Sequence, residues 1–335
     1  MIPVRPKSAA FTAQAKEFAL RLHKKGHLLV STHTSPDGDA VASLLAAAHL
    51  SGALGCDPHC FLDGGVPRRY RFLPGSDGIE SKTTEENDLW DLALIVDSGS
   101  LARIGQVAAK LSPQALIINV DHHADNKQFG QLNIVYSEAA STTEILFDLA
   151  QVLNLPISED LATLLYTGLL TDTGGFRHSN TTERAFSMAA QLLRHGVKPA
   201  EVAQAVYASN SPRGMKLLGE ALSSLELNAD GKVATMIVHQ SNAAEELEDL
   251  AEYALTVEGV QAGALLRIQN GTIRVSLRGR GAVVVADIAR RFGGGGHAKA
   301  AGFTHEGDPE DLRLRVVEAL SQEVKNSIAH PAERK

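Results

Sequence analysis

The sequence predicts an α/β protein of two domains: an N-terminal parallel sheet with flanking helices, and a smaller C-terminal α+β domain facing it across a cleft. Three observations predict this. The chain has 335 residues, 44% of them hydrophobic and 21% charged, which is enough for two ordinary cores. Its first half alternates short apolar runs with amphipathic stretches, the pattern of strands joined by crossover helices. From about residue 225 the pattern changes to strand, helix and a hairpin signal.

Taken in order, residues 27–32 (HLLVST), 91–96 (DLALIV) and 115–120 (ALIINV) read as buried strands, each followed at once by polar, acidic or Gly-rich sequence. Ligands of an open parallel sheet bind beyond the carboxyl ends of its strands, so candidate ligands converge there. Residues 141–153 and 159–170 read as helices, the second stopped by Gly174 and Gly175. Helical period continues over 182–195 and 199–208, and Ser211-Pro212 opens a further helical stretch over 214–225. The second domain then reads as a strand (232–239), an acidic helix (243–253), a hairpin turning at Asn270-Gly271 and a helix (284–292). Gly293 to Gly296 precede His297, and a final helix covers 309–328. The expected boundaries are 1–195 for the first domain, 196–224 for a helical linker and 225–330 for the second domain.

Composition excludes several classes. The longest apolar runs, such as 40–50, fall short of the ~20 residues a bilayer span needs, and the N-terminus lacks a signal-peptide core, so a cytoplasmic protein with no membrane contact is expected. The only two cysteines, Cys56 and Cys60, build neither a disulfide framework nor a four-thiolate zinc site, and both read as small buried apolar residues. A net charge of -7 argues against coating long nucleic acid, whose affinity comes from neutralising many phosphates. Charge is uneven, however. Between Val260 and His305, seven Lys/Arg stand against the single acid Asp287, a landing place for a small anion.

Four separated segments carry metal chemistry: His33 with Asp37 and Asp39, then Asp97, then Asp121-His122-His123, then Asp172. Imidazole and carboxylate donors without thiolate suit borderline or hard divalent ions, with Mn2+ first. Pro36-Asp37-Gly38-Asp39 is also good turn chemistry, but two carboxylates so close together repel unless a cation lies between them. Asp-His-His straight after a strand is equally hard to bury without partners. Two such ions about 3.5–4 Å apart activate a water and stabilise both oxygens of an in-line phosphoryl displacement. In the second domain, Arg274, Ser276 and Arg278 share one strand face by their period of two, and Gly294, Gly295 and Gly296 beside His297 let backbone N–H groups approach a phosphate.

This ordered set of His33, Asp37, Asp39, Asp97, Asp121-His122-His123 and Asp172 resembles the DHH phosphoesterase family. Gly293 to His297, followed by Ala300-Ala301-Gly302-Phe303, resembles the DHH-associated domain, and together the likeness covers nearly the whole chain. It implies that His33, Asp37 and Asp97 hold one metal and that Asp39, Asp97, His122 and Asp172 hold the other, with Asp97 bridging. It further implies that His123 faces the substrate phosphate, that Asp121 orients a histidine from behind the ligands, and that Arg278, His297 and the glycine loop grip the substrate. Asp97 and His123 are then the catalytic pair, and the cleft between the domains is catalytic.

Within the family the chain resembles the small bacterial nanoRNases. That implies a two-metal hydrolase acting on short oligoribonucleotides and linear dinucleotides such as pApA, and on adenosine 3′,5′-bisphosphate. The alternatives are a stand-alone cyclic di-AMP phosphodiesterase and a catalytically silent nucleotide-binding regulator; the regulator's mark would be a missing ligand, and every expected position is filled. A homodimer through helices of the first domain is compatible with their apolar faces, which can equally be core.

Overall fold

The computed structural model describes residues 8–22, 26–81, 89–228, 230–239, 250–296 and 298–329. The chain divides into two compact units between Ser209 and Asn210. In the first, α1 (Ala9–Leu22), β1 (His27–Ser31), α2 (Gly38–Ala53), β2 (Asp57–Phe61), β3 (Trp90–Val96), β4 (Leu111–Asp121) and β5 (Leu132–Val135) are followed by helices α3 (Thr142–Val152), α4 (Glu159–Asp172), α5 (Glu183–Leu193) and α6 (Pro199–Tyr207). Its five strands lie in the order β2-β1-β3-β4-β5, and every pairing is parallel.

Both faces of this sheet are covered, which explains the unbroken apolar runs of its strands. In β3, Leu92, Leu94 and Val96 point into the main core with α1 to α6, while Ala93 and Ile95 point into a second core with Ile104 and Val107. Helix α2 packs against α3 and α4. That sandwiching leaves α4 apolar nearly all round, from Leu161 to Leu170. The apolar helix faces are therefore largely core, although Phe186 and Leu193 of α5 stay exposed.

The second unit contains α7 (Pro212–Ser223), β6 (Glu226–Leu227), β7 (Val233–His239), α8 (Leu250–Tyr253), β8 (Ala262–Gln269), β9 (Thr272–Gly279), α9 (Ala286–Arg291), β10 (Gly295–Gly296), β11 (Ala300–Glu306) and α10 (Pro309–Ala329). Its strands run in the order β10-β11-β9-β8-β7-β6, with only β7–β8 parallel. Asn270 (φ 49°) and Gly271 (φ 80°) form the two-residue turn of the β8–β9 hairpin, the left-handed pair such a turn demands. One sheet face packs on α9 and α10, the other on α7 and α8.

Several details differ from the sequence reading. The stretch 196–224 is shared out: Val202 and Val206 of α6 enter the first core, and Leu217 and Ala221 of α7 enter the second unit's. The helix expected over 243–253 is described only as Leu250–Tyr253; residues 243–249 lie outside the described residues. Helices α1 and α2 and strands β2, β5, β6, β10 and β11 went unread; β2 and β5 are short edge strands, which carry little apolar signal. Cys56 and Cys60 are half-buried rather than buried, packed against the first core. Burial, then the charge of Glu80, pushes the Cys60 thiol up to about 12, far from a reactive thiolate. Among the described residues no helix is long and apolar enough to cross a membrane.

Candidate metal centre

The parallel sheet delivers its ligands at one end. His33 follows β1 by two residues, Asp97 follows β3 directly, Asp121 closes β4, and His122 and His123 come next. Helix α2 brings two carboxylates from its N-terminus: Asp37 is the N-cap, its Oδ1 accepting from Ala40 N at 3.0 Å, and Asp39 stands in the first turn. Asp172 is the last residue of α4. These side chains meet in three overlapping groups, Asp97/His122/His123, His33/Asp37/Asp97 and Asp39/His122/Asp172, in each of which the donor atoms lie within 4.8 Å of one another.

The shared members connect the groups. Asp97 Oδ2 lies 3.6 Å from His33 Nε2, and its Oδ1 lies 3.7 Å from both His122 Nε2 and His123 Nδ1. His122 Nε2 is in turn 3.4 Å from Asp172 Oδ2. Asp97 has φ 51°, a left-handed backbone in which a non-glycine residue persists only when its surroundings hold it. Its N–H still donates to Val120 O at 3.0 Å, and Thr142 Oγ1 donates to its Oδ1 at 2.8 Å.

Asp121 has a different environment. It is fully buried, takes a 2.6 Å hydrogen bond from His123 Nδ1 and a 2.9 Å bond from His122 N, and receives Asn126 Nδ2 at 2.6 Å on its other oxygen. With Nδ1 committed to Asp121, the chemistry of His123 falls to Nε2.

The electrostatics describe a site with excess negative charge. Burial, then the charges of Asp97 and Asp37, raises the Asp39 carboxyl to about 7. Burial together with Asp39, Asp37 and Asp97 raises Asp172 well above the carboxylate range. Burial pushes Asp97 the same way, but His33, His123 and His122 outweigh it and hold Asp97 below its ordinary value. For His122 and His123 burial acts to lower the pKa, and the surrounding carboxylates overcome it and raise both. Carboxylates this crowded are what a divalent cation relieves, and the imidazole–carboxylate donor set fits borderline or hard ions.

A pH dependence follows. Folding lifts Asp39 from 3.8 to about 7, so within that window the folded chain holds a proton the unfolded chain has lost. In chelator, stability should fall as pH rises through the window, while saturating Mn2+ should flatten the slope. Thermal melts from pH 4 to 8, with and without Mn2+, check both; Asp39→Asn should lose much of the slope.

Residues outside the sequence-level set hold the centre in place. The amino end of α3 grips Asp39: Thr142 N donates to Oδ2 at 2.6 Å, and Thr143 N and Oγ1 donate to Oδ1 at 3.1 and 2.9 Å. Ser141 caps this helix by accepting from Glu144 N, and the buried Glu144 and Asp148 pair with Arg184 of α5. The Ser141-x-x-Glu144 spacing was a readable capping signal. Gly168 of α4 allows the close approach, because a Cβ there would overlap Asp39 Oδ1 and the Thr143 side chain. Gly168→Ala should cost about 1–3 kcal/mol from overpacking and weaken Mn2+ binding measured by calorimetry.

In the second unit, Arg274, Ser276 and Arg278 share one face of β9, Arg274 exposed and the other two half-buried, alternating with the buried Ile273, Val275 and Leu277. Arg278 is already engaged, its Nε donating to Glu252 Oε1 at 2.5 Å. The buried Arg267, opposite Arg274 in the register, donates to Ser276 Oγ at 3.2 Å and was not singled out from sequence. Gly295 and Gly296 pair antiparallel with Gly302 and Ala301, so the end of the glycine run is an exposed two-residue edge strand. A Cβ at Gly294 would strike Gly302 O and Phe303. His297 lies outside the described residues.

Comparison with known proteins identifies the family and the fold. A model of the DHH family, N-terminal domain, matches residues 27–169, and a DHHA1 domain model matches residues 230–328. The chain is 34% identical over 302 residues to the bifunctional oligoribonuclease and PAP phosphatase NrnA of Thermus thermophilus, covering 90% of this chain and 91% of that protein. Among solved structures, an exopolyphosphatase-related protein from Bacteroides fragilis superposes with a TM-score of 0.85 at 24% identity, over 94% of this chain and 96% of that one. RecJ from Thermus thermophilus in complex with Mn2+ superposes with a TM-score of 0.53 at 16% identity, over 98% of this chain and 56% of that one.

Proposed function

The chain belongs to the DHH family, and from that membership we propose that it is a metal-dependent phosphoesterase cleaving short oligoribonucleotides and linear dinucleotides such as pApA to mononucleotides, and adenosine 3′,5′-bisphosphate to AMP. The observation that carries this reading is the three overlapping His/Asp groups sharing Asp97 and His122 at one end of the sheet. The similarity to an oligoribonuclease and PAP phosphatase along nine-tenths of the chain supports the substrate class.

His33, Asp37 and Asp97 would hold one divalent cation, and Asp39, Asp97, His122 and Asp172 the other. Bound there, the pair supplies positive charge for the phosphate oxygens and an acidified water for the attack. Mn2+ is the first choice, given a donor set without thiolate and the Mn2+ held by RecJ. The protein's own groups do the rest. Asp97 offers one oxygen to each group, and the fully buried Asp121 fixes the His123 ring so that Nε2 can donate to a phosphate oxygen as charge builds on it. Thr142 and Thr143 hold Asp39 and Asp97 in position.

In this reading Arg274, Ser276, Arg278, Gly294, Gly295, Gly296 and His297 bind the substrate's far phosphate or base. Arg278→Ala should raise KM roughly ten- to hundredfold, the worth of about 1.5–3 kcal/mol for a lost charge-assisted hydrogen bond, with kcat changed little. Steady-state kinetics on pApA measure it. The cytoplasm, where RNA turnover generates such fragments, is the compartment this activity calls for. A homodimer would use the exposed Phe186 and Leu193, seven positions apart on one face of α5.

The decisive experiment incubates the protein and Mn2+ with pApA, a five-nucleotide RNA, cyclic di-AMP and adenosine 3′,5′-bisphosphate in parallel. Fast turnover of the linear substrates and the bisphosphate is expected. Preferential turnover of cyclic di-AMP would replace this reading with the cyclic-dinucleotide one, and binding without product under any divalent ion would point to a silent regulator.

A further inference from the structure

A second set of imidazole and carboxylate donors converges at the opposite, amino-terminal end of the same parallel sheet. His27 opens β1, and Asp57 and His59 lie on the neighbouring edge strand β2, with His27 in register with Asp57 and Leu29 with His59. Residues two apart on a strand share a face, and in-register parallel neighbours do too, so the three side chains project from one patch. Their donor atoms form a near-equilateral triangle: His27 Nδ1 is 3.0 Å from Asp57 Oδ2, His59 Nε2 is 3.2 Å from the same oxygen, and the two ring nitrogens are 3.2 Å apart.

Hydrogen bonds can serve two edges of that triangle but not all three. Each ring nitrogen carries at most one N–H, which points in one direction, and an N–H aimed at one corner lies about 60° off the other, too bent to serve both. If both nitrogens donate to the shared carboxylate oxygen, the 3.2 Å edge between the rings carries no hydrogen bond; if neither does, lone pairs face one another. A cation at the centre engages all three donors at once. Nitrogen and oxygen ligands about 2.0–2.1 Å from a tetrahedral Zn2+ stand about 3.3 Å apart, so the three edges match one face of such a site.

We propose that His27, Asp57 and His59 bind a borderline divalent cation of the Zn2+ and Cu2+ class, distinct from the catalytic centre, with the fourth position open to water. Two imidazoles and one carboxylate are the donors such ions take. The side chains of His27, Asp57 and His59 are 74, 62 and 35% exposed, so the ion enters directly from solvent. Bound there it clips the edge strand β2 to β1.

The chain's only tryptophan reports on this patch: the Trp90 ring lies 5.1 Å from His59 and 6.5 Å from His27. Trp90 begins β3 and Asp97 follows that strand's end, which separates the reporter from the catalytic cluster by roughly 20 Å at about 3.3 Å per residue. The test is a Cu2+ titration of Trp fluorescence on the full chain with Mn2+ in excess. Quenching should saturate and be reversed by a large excess of diamagnetic Zn2+, because Cu2+ is the tighter binder of such donors. The surface double variant His27→Gln/His59→Gln should shift the Cu2+ midpoint by at least about tenfold, the lower end of what loss of even an indirect ligand partner costs, while its circular dichroism and its Mn2+-dependent turnover of pApA stay at wild-type levels. No quenching in the wild type, or an unchanged midpoint in the double variant, overturns the site.

Discussion

Asp97→Asn is expected to lower kcat/KM for pApA at least about a thousandfold, at the upper end of what removal of a single charge-stabilising group costs, and to reduce bound Mn2+ below two per chain. The asparagine is chosen on backbone grounds. Asp97 sits at φ 51°, and asparagine tolerates that region where alanine is strained. The variant keeps an oxygen for the 2.8 Å hydrogen bond from Thr142 Oγ1 but loses the charge that His33, His122 and His123 face. Because Asp97 belongs to two of the three donor groups, its loss should disturb both cations rather than one. Turnover and Mn2+ stoichiometry by equilibrium dialysis are read on the same sample. A variant that still binds two Mn2+ and turns over near the wild-type rate would reject the bridging role.

Arg184→Met is expected to destabilise the protein by about 3–5 kcal/mol, the usual cost of stranding a buried charge. Glu144 and Asp148 are fully buried, four positions apart on α3, and both pair with Arg184, Glu144 at 2.7 Å. Glu144 also accepts from Ala140 N at 2.8 Å, which ties the ion pair to the turn that presents Thr142 and Thr143 to the metal centre. The urea midpoint should therefore fall and Mn2+ affinity with it. In the triple variant Arg184→Met/Glu144→Gln/Asp148→Asn, with no stranded charge, most of the stability should return, because buried ion pairs replaced by neutral groups are often nearly neutral in cost. Equal instability of the single and triple variants would mean that the packing of α5, not its charge, is what matters there.

Much of the fold was legible because burial on both faces forces a near-continuous apolar run, and β3 and β4 display one. The hairpin at Asn270-Gly271 was legible for a different reason, since few residue pairs accept two successive left-handed conformations. The edge strand β2 (DPHCF) lacked such a run, and of its five residues only Phe61 is buried. Its donors His59 and Asp57 went unremarked for the same cause: isolated polar residues on an unread strand carry no periodic signal.

By itself the sequence determined the order of the central buried strands and of most helices, and the chemical types available at their ends, because periodicity and side-chain chemistry are local properties. It did not determine which atoms meet. That Thr142, Thr143 and Gly168 surround Asp39, that Arg184 neutralises two acids of another helix, and that His27 reaches across to Asp57 were decided by tertiary packing, which brings residues 30 to 104 positions apart within hydrogen-bond distance. Such contacts depend on the relative placement of whole helices and strands, a long-range property that no window of neighbouring residues contains.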